Sequence, residues 1–246
     1  NNYPKLSDYD LSSLKFCLSG GAPLPVEVKQ NFESFTGCKL VEGYGLTETS
    51  PIASANPLMG VSKEASIGMP LPGTRIIITD REDPHKIMPQ GEDGEICVEG
   101  PQVMLGYWGR EEATAETIID GRLHTGDVGY MDEEGYTFII DRMKDLVLVG
   151  GFNVYPREVE EAIYQHPGVE EVTVIGITDD YLGQAIKAFI KLKDGQTLNE
   201  DELKAFLQDK LAKHALPRQT EFRDELPKTM IGKLSKKELV AEEKEK

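Results

Sequence analysis

The chain has 246 residues, 39% of them hydrophobic, and carries 27 Lys or Arg against 43 Asp or Glu, a formal net charge of −16. That length supports one large or two modest domains with ordinary cores, and the composition excludes a disordered chain. The acidic balance argues against an electrostatic grip on nucleic acid or anionic lipid, since both need clustered cations, so any nucleotide bound is small.

No apolar run approaches the roughly 20 residues of a membrane span, and there is no signal-peptide pattern, so the chain reads as soluble. Cys17, Cys38 and Cys97 are widely spaced, odd in number and without a Cys-x-x-Cys pair. Neither a disulfide framework nor a zinc site is supported, and a reducing cytoplasm fits. His85, His124, His166 and His214 have no metal-ligand spacing and read as surface or hydrogen-bonding residues. The chain enters a core strand within about a dozen residues of Asn1, as a fragment of a longer protein would, and the native start is expected to be missing.

In chain order, residues 14–18 read as a strand, followed by the Gly20-Gly21 turn and a helix on which Val28, Phe32 and Phe35 keep i, i+4, i+7 spacing. Residues 39–42 form a second short strand running into GYGLTETSP. Two strands thus end in glycine-rich turns, where open α/β sheets hold ligands. From Ser66 the texture changes to short β runs at 75–79, 94–98 and 136–140, separated by Pro, Gly and Asp clusters. This predicts a small barrel or sandwich, broken by one helical insert at 111–119. After Lys144 helices and strands alternate: a helix at 157–166 with Pro156 near its first turn, strands at 171–177 and 185–192, and a helix at 200–213. Asn199 with Glu202 makes a capping box, and Leu203, Phe206, Leu207 and Leu211 give that helix one apolar face. The last thirty residues hold eight Lys or Arg against seven Asp or Glu, and LPKTMIGKLSKKEL puts Lys233 before a helix capped by Ser235 with Glu238.

The segment from His124 to Pro156 is the densest in chemistry: Asp127 after a Thr-Gly turn, Arg142 and Lys144 on a short join between apolar runs, then Gly150-Gly151. Asp127 suits the vicinal hydroxyls of a ribose, although a turn aspartate is its commoner role. Arg142 suits the same ribose or a phosphate, or a surface ion pair. Gly150-Gly151 suits close approach of a ligand or a plain hairpin. In GYGLTETSP, the glycines Gly43 and Gly45 leave the Tyr44 ring able to lie on a planar group, while Thr47 and Glu48 offer a hydroxyl for phosphate and a carboxylate for Mg²⁺. A tight turn with a solvated Thr and Glu fits that stretch equally well. Lys233 on its glycine loop suits a mobile cation brought to an anionic reaction centre, or a solvated charge among other lysines.

Taken together and in this order, these motifs resemble the adenylate-forming acyl-CoA synthetase family. The similarity is greatest to bacterial long-chain fatty-acid CoA ligases, on LVEGYGLTETSP, GRLHTGDVGYMDEEGY, DRMKDLVLVGGFNVYPREVEEAIYQHPGV and LPKTMIGK. It runs from SGGAPLP at Ser19 to the Lys233 loop. The resemblance implies an α/β fold in three parts: residues 1–65 as the end of an α/β subdomain, 66–143 as a small distorted β-barrel subdomain, and 144–246 as a mobile α+β domain after a hinge. It also implies roles. Gly20, Gly21 and Ala22 would line an adenine pocket, with Gly43 and Gly45 flanking Tyr44, which would stack on the base. Thr47 would contact the α-phosphate and Glu48 would hold Mg²⁺. Asp127 and Arg142 would take the ribose, and Lys144 would be the hinge. Lys233 would contact the carboxylate and α-phosphate during adenylation, and Gly150-Gly151 would face the pantetheine passage.

The implied reaction joins a fatty acid to coenzyme A at the expense of ATP, in the cytoplasm, with peripheral membrane contact of the full-length enzyme left open. The substrate carboxylate is itself the nucleophile, which fits the lack of a Ser-His-Asp or Cys-His set. The family's Ser/Thr/Gly-rich phosphate loop has no match here, so this chain alone is expected to form no acyl-adenylate, its partner being the missing N-terminal part of the same enzyme. Two alternatives remain: an adenylating domain that passes acyl groups to a carrier protein, against which GGFNVYP weighs, and a non-catalytic nucleotide-binding module, against which the joint presence of Glu48, Asp127, Arg142 and Lys233 weighs.

Overall fold

Strands β1 (Phe16–Ser19) and β2 (Lys39–Tyr44) lie parallel because helix α1 (Val26–Thr36) returns the chain between them. The helix stops at Gly37, whose left-handed backbone lets its N–H bond the Glu33 carbonyl. In this computed structural model the described residues are 8–22, 24–230 and 232–245; Pro23 of the first motif and Ile231 of the last lie outside them.

The sheet continues through β3 (Ser54–Ala55), β4 (Ser66–Pro70), β5 (Arg75–Thr79) and β6 (Gly94–Glu99). After helix α2 (Glu111–Thr117) come β7 (Ile118–Ile119), β8 (Arg122–Met131) and β9 (Thr137–Arg142). Together they form one nine-stranded sheet in the order β1-β2-β3-β4-β9-β8-β6-β5, with β7 on β8, and only β1 and β2 pair in parallel. The antiparallel strands expected as a barrel are therefore carried on the same sheet as the parallel pair. Their inward residues make two small cores: Ile67, Ile76, Ile78 and Ile96 in one, Ala53, Val98 and Leu123 in the other. The β8 strand is the main element the sequence pattern did not forecast, because its polar residues and internal glycines break the alternation that marks a strand.

The chain divides into two compact units, residues up to Ile139 and residues from Ile140. The second unit holds β10 (Val147–Val149), β11 (Phe152–Val154), α3 (Pro156–Tyr164), β12 (Val169–Asp179), β13 (Gly183–Leu192), α4 (Glu200–Leu207), β14 (Gln219–Phe222) and α5 (Lys236–Lys244). Its five-stranded sheet runs β11-β10-β13-β12, with β14 parallel to β13. Strand periodicity explains its two-sided core. On β13, Ile186, Ala188 and Ile190 join Val159, Ile163, Leu203 and Leu207 of α3 and α4, while the intervening Phe189 joins Ile175, Leu226 and Leu239. Each of the larger side chains among these, fully buried, contributes about 1.5–3 kcal/mol of hydrophobic stabilisation.

Pro156 occupies the first turn of α3, and Asn199 forms its capping box with Glu202. Two details differ from expectation. Helix α4 ends at Leu207 rather than at residue 213, because the Lys210 N–H turns back to the Leu207 carbonyl in a tighter turn. Ser235 precedes α5 but its hydroxyl makes no cap bond, since its N–H is drawn to the Pro227 carbonyl and the residue is buried. Among the described residues no helix is long and apolar enough to cross a membrane.

Candidate nucleotide site

Both parallel strands end in glycine turns. Gly20, Gly21 and Ala22 follow β1 and are exposed, while Gly43 and Tyr44 close β2 and Gly45 follows. At Gly45 the Pro51 backbone comes so close that an added Cβ would sit 1.8 Å from its carbonyl oxygen, so the turn folds back on itself and only glycine fits. The turn then enters a 3-10 segment, Thr47–Thr49, with Thr47 exposed and Glu48 half-buried.

Tyr44 connects this turn to Asp127. Its hydroxyl donates to Asp127 Oδ2 at 2.6 Å, and its ring packs against both small cores of the first unit. Asp127 is 4% exposed, a burial that a carboxylate tolerates only when hydrogen-bonded. Two residues 83 positions apart in sequence are thus brought to one point.

The Thr-Gly pair before Asp127 is not the turn expected from the sequence. It is a bulge inside β8: between the pairs Glu95↔Val128 and Cys97↔His124, β6 advances two residues while β8 advances four. Thr125, Gly126 and Asp127 are the residues accommodated opposite Ile96. The physical reason is Gly126, whose φ of +72° is ready for a bulge, together with bonds that hold it open. The Gly126 N–H donates to Glu95 Oε1 at 2.9 Å, Thr125 Oγ1 donates to the Ile96 carbonyl at 2.7 Å, and the Asp127 N–H donates to Thr125 Oγ1 at 3.1 Å.

A cavity of about 390 Å³ lies beside this bulge, lined by Glu48, Tyr107, Glu95, His124, Thr125 and Gly126 among others. The Tyr107 hydroxyl donates to Glu48 Oε1 at 2.9 Å, and burial followed by the Glu48 contact holds that phenol above its usual range. The Met104 N–H donates to the Glu48 carbonyl, so side chain and backbone of Glu48 are both fixed. Glu48 at this cavity, with a threonine hydroxyl on the same turn, is a donor set that fits Mg²⁺, a cation commonly held by one or two carboxylates plus substrate phosphates.

Glu95, His124 and Tyr107 are residues that the sequence reading missed or left as ordinary. Of the two roles expected for His124, surface or hydrogen-bonding, the second is observed: its side chain is 6% exposed, and Nδ1 lies 2.7 Å from Glu95 Oε2. Glu95, Cys97 and His124 bring one ligand atom each within 4.8 Å of one another. They are joined in a hydrogen-bonded network in which both Glu95 oxygens are engaged, and burial pushes the Cys97 thiol up to about 12. The one sequence signal was an acid inside the apolar run GEICV, and its partner 29 residues on is found only once the register is known.

The remaining candidates belong to the second unit. Arg142 ends β9, and Lys144 lies exposed in a 3-10 turn, Met143–Asp145. Beside them Asp141, 5% exposed, accepts from the Arg142 N–H at 2.7 Å and the Arg157 N–H at 2.8 Å, tying this segment to the first turn of α3. Gly150 and Gly151 form the two-residue loop of the β10–β11 hairpin with φ of +58° and +86°, the left-handed pair that a type I′ turn requires. Lys233 is exposed on a turn closed by the Thr229 N–H to the Lys233 carbonyl, and is flanked by ion pairs of Lys228 with Glu171 and Lys236 with Glu160. Glu160 is half-buried, and its desolvation raises its carboxyl above the usual range.

Comparison with known proteins agrees with this architecture. Residues 1–108 match the family described as AMP-binding enzyme, and residues 158–233 match the AMP-binding enzyme C-terminal domain. The chain is 52% identical over 244 residues to a long-chain-fatty-acid–CoA ligase of Bacillus subtilis (strain 168), covering 99% of this chain and 43% of that protein. It superposes on the ATP-bound MatB of Rhodopseudomonas palustris with a TM-score of 0.86 at 39% identity, over 90% of this chain and 44% of that one. It also superposes on the o-succinylbenzoate CoA synthetase of Bacillus subtilis, in complex with its acyl-adenylate, with a TM-score of 0.82 at 33% identity, over 95% and 48%. The chain thus spans less than half the length of these relatives. It belongs to the AMP-binding enzyme family, the adenylate-forming enzymes.

Proposed function

We propose that the chain is the nucleotide-recognition and mobile-domain portion of a fatty-acid CoA ligase, which converts a fatty acid, ATP and coenzyme A into acyl-CoA, AMP and diphosphate through an acyl-adenylate. The observation that carries this reading is the 2.6 Å bond between Tyr44 and Asp127. A nucleoside needs a flat face for its base and a carboxylate for two vicinal hydroxyls, at neighbouring points on a rigid support. Identity of 52% to a long-chain-fatty-acid–CoA ligase supports the acyl class of the substrate.

On this reading Gly20, Gly21, Ala22, Gly43 and Gly45 line the adenine pocket, Tyr44 stacks on the base, and Asp127, helped by Arg142, accepts from the ribose. Thr47 contacts the α-phosphate. Glu48 holds Mg²⁺, which neutralises phosphate charge when bound. In the first half-reaction a carboxylate oxygen of the acid attacks the α-phosphorus, and the bond from that phosphorus to the bridging oxygen breaks to release diphosphate. No general base is required, so the chain's task is to position groups and neutralise charge, the latter from Lys233. In the second half-reaction the coenzyme A sulfur attacks the acyl carbonyl, AMP departs on its phosphate oxygen, and the thiol proton passes to solvent. Lys144 turns the second unit between the two steps, so that Lys233 is withdrawn and the Gly150-Gly151 hairpin faces the pantetheine arm.

The test is thioester formation by the full-length protein supplied with ATP, palmitate and free coenzyme A. Palmitoyl-CoA and AMP in equal amounts are expected. Acyl transfer only to the pantetheine of a carrier protein, with none to free coenzyme A, would reject the ligase in favour of a carrier-loading domain.

A further inference from the structure

The bulge that presents Asp127 is held from outside its own strand. Of the bonds around it, two come from one side chain: Glu95 on β6 accepts the Gly126 N–H through Oε1 and contacts His124 Nδ1 through Oε2, at 2.9 and 2.7 Å. These contacts fall on either side of Thr125, so a single carboxylate spans the extra residues of the bulge. The site is enclosed, with the Glu95 side chain 11% and the His124 side chain 6% exposed. Charge-assisted bonds in such surroundings are shorter and roughly twice as strong as neutral ones. Thr125 braces the other side by donating to the Ile96 carbonyl and accepting the Asp127 N–H.

Without this carboxylate the bulge keeps the Thr125 bonds but loses the one that fixes Gly126. Gly126, freed of its partner, can adopt many backbone conformations, and each moves Asp127, its immediate neighbour. A regular ladder would also change what the Tyr44 hydroxyl meets, since that hydroxyl donates to Asp127 Oδ2 at 2.6 Å.

We infer that Glu95 is a positioning residue for Asp127: by holding the Gly126 N–H and the His124 ring, its carboxylate fixes the β8 bulge that offers Asp127 to the vicinal hydroxyls of a ribose. The inference rests on the ribose role proposed for Asp127. Glu95 itself touches no substrate in this scheme. Its effect is confined to the part of nucleotide recognition that Asp127 supplies, and an amide at the same place serves nearly as well, because its oxygen accepts from Gly126 while its NH₂ donates to the other tautomer of His124.

The experiment titrates AMP and 2′,3′-dideoxy-AMP, which lacks both hydroxyls, into the unaltered chain and into Asp127→Ala, Glu95→Ala and Glu95→Gln, with circular dichroism and melting recorded for each. The quantity read is the ratio of the two dissociation constants. The unaltered chain should prefer AMP by on the order of tenfold or more, the usual worth of hydrogen bonds to a charged group. Asp127→Ala should bring the ratio close to one. Glu95→Ala should do the same while leaving dideoxy-AMP binding within about twofold, and Glu95→Gln should restore most of the preference. Loss of the ratio in Asp127→Ala but not in Glu95→Ala would overturn the role of Glu95 alone. So would equal weakening of both nucleotides by Glu95→Ala with no rescue in Glu95→Gln, the mark of a purely structural residue. If the unaltered chain binds neither nucleotide, or does not distinguish them, the ribose role of Asp127 falls and the inference falls with it.

Discussion

The Tyr44–Asp127 pair of the first unit and the turn residues of the second are held in opposite ways. In the first, Tyr44 and Asp127 sit on strands, largely withdrawn from solvent, and bonded to each other at 2.6 Å. In the second, Lys144, Gly150, Gly151 and Lys233 are exposed on turns, while the buried Asp141 and the half-buried Glu160 lie beside them. The contrast suits the split task proposed above. Groups that recognise a rigid ligand gain from being immobilised in advance, whereas groups that must change place between two half-reactions need backbone free to turn on a firm base.

That firm base can be broken. Phe189 is fully buried on the central strand of the second unit, with Lys187 Nζ 4.9 Å and the Arg223 guanidinium 4.7 Å from its ring centre. Phe189→Ala should cost about 3–5 kcal/mol, the largest effect expected here, because it removes a core anchor and leaves a cavity. Chemical denaturation followed by far-UV circular dichroism checks it; a loss below about 1 kcal/mol would mean that this face is not a packed core.

Acid sharpens the comparison with a smaller effect. Glu221 of β14 is partly buried, which resists ionisation, but Lys187 and Arg223 outweigh this and hold its carboxyl down to about 2. A depressed carboxyl stabilises the fold at any pH above its unfolded value, near 4.5, and loses that contribution as pH falls through about 2. The second unit should therefore lose stability between those limits, and Glu221→Gln should flatten the dependence. An unchanged acid transition in that variant would show that the pair contributes nothing measurable.

What could be read from the sequence divides along the same line as the structure. The capping box at Asn199 and Glu202, Pro156 in the first turn of α3 and the Gly150-Gly151 hairpin are local: their partners lie within a few residues, so spacing alone reveals them. Tyr44 and Asp127 were each recognisable through their motifs, but their bond joins residues 83 positions apart. Glu95 was invisible for the same reason. Its importance depends on which residues of β8 stand opposite Ile96, and a two-residue difference in register cannot be seen before the strands are paired. The Thr-Gly pair was misread as a turn because glycine with a left-handed backbone serves turns and bulges alike, and only the neighbouring strand decides between them.

The central claim is that Asp127 belongs to a nucleotide site built into the first unit. Calorimetric titration of AMP into the chain, unaltered and as Asp127→Ala, tests it most directly. Saturable binding that weakens by on the order of tenfold or more in the variant, at equal secondary structure content, is the predicted result. Equal affinity in both would contradict it and would return Asp127 to the role of a structural carboxylate holding Tyr44.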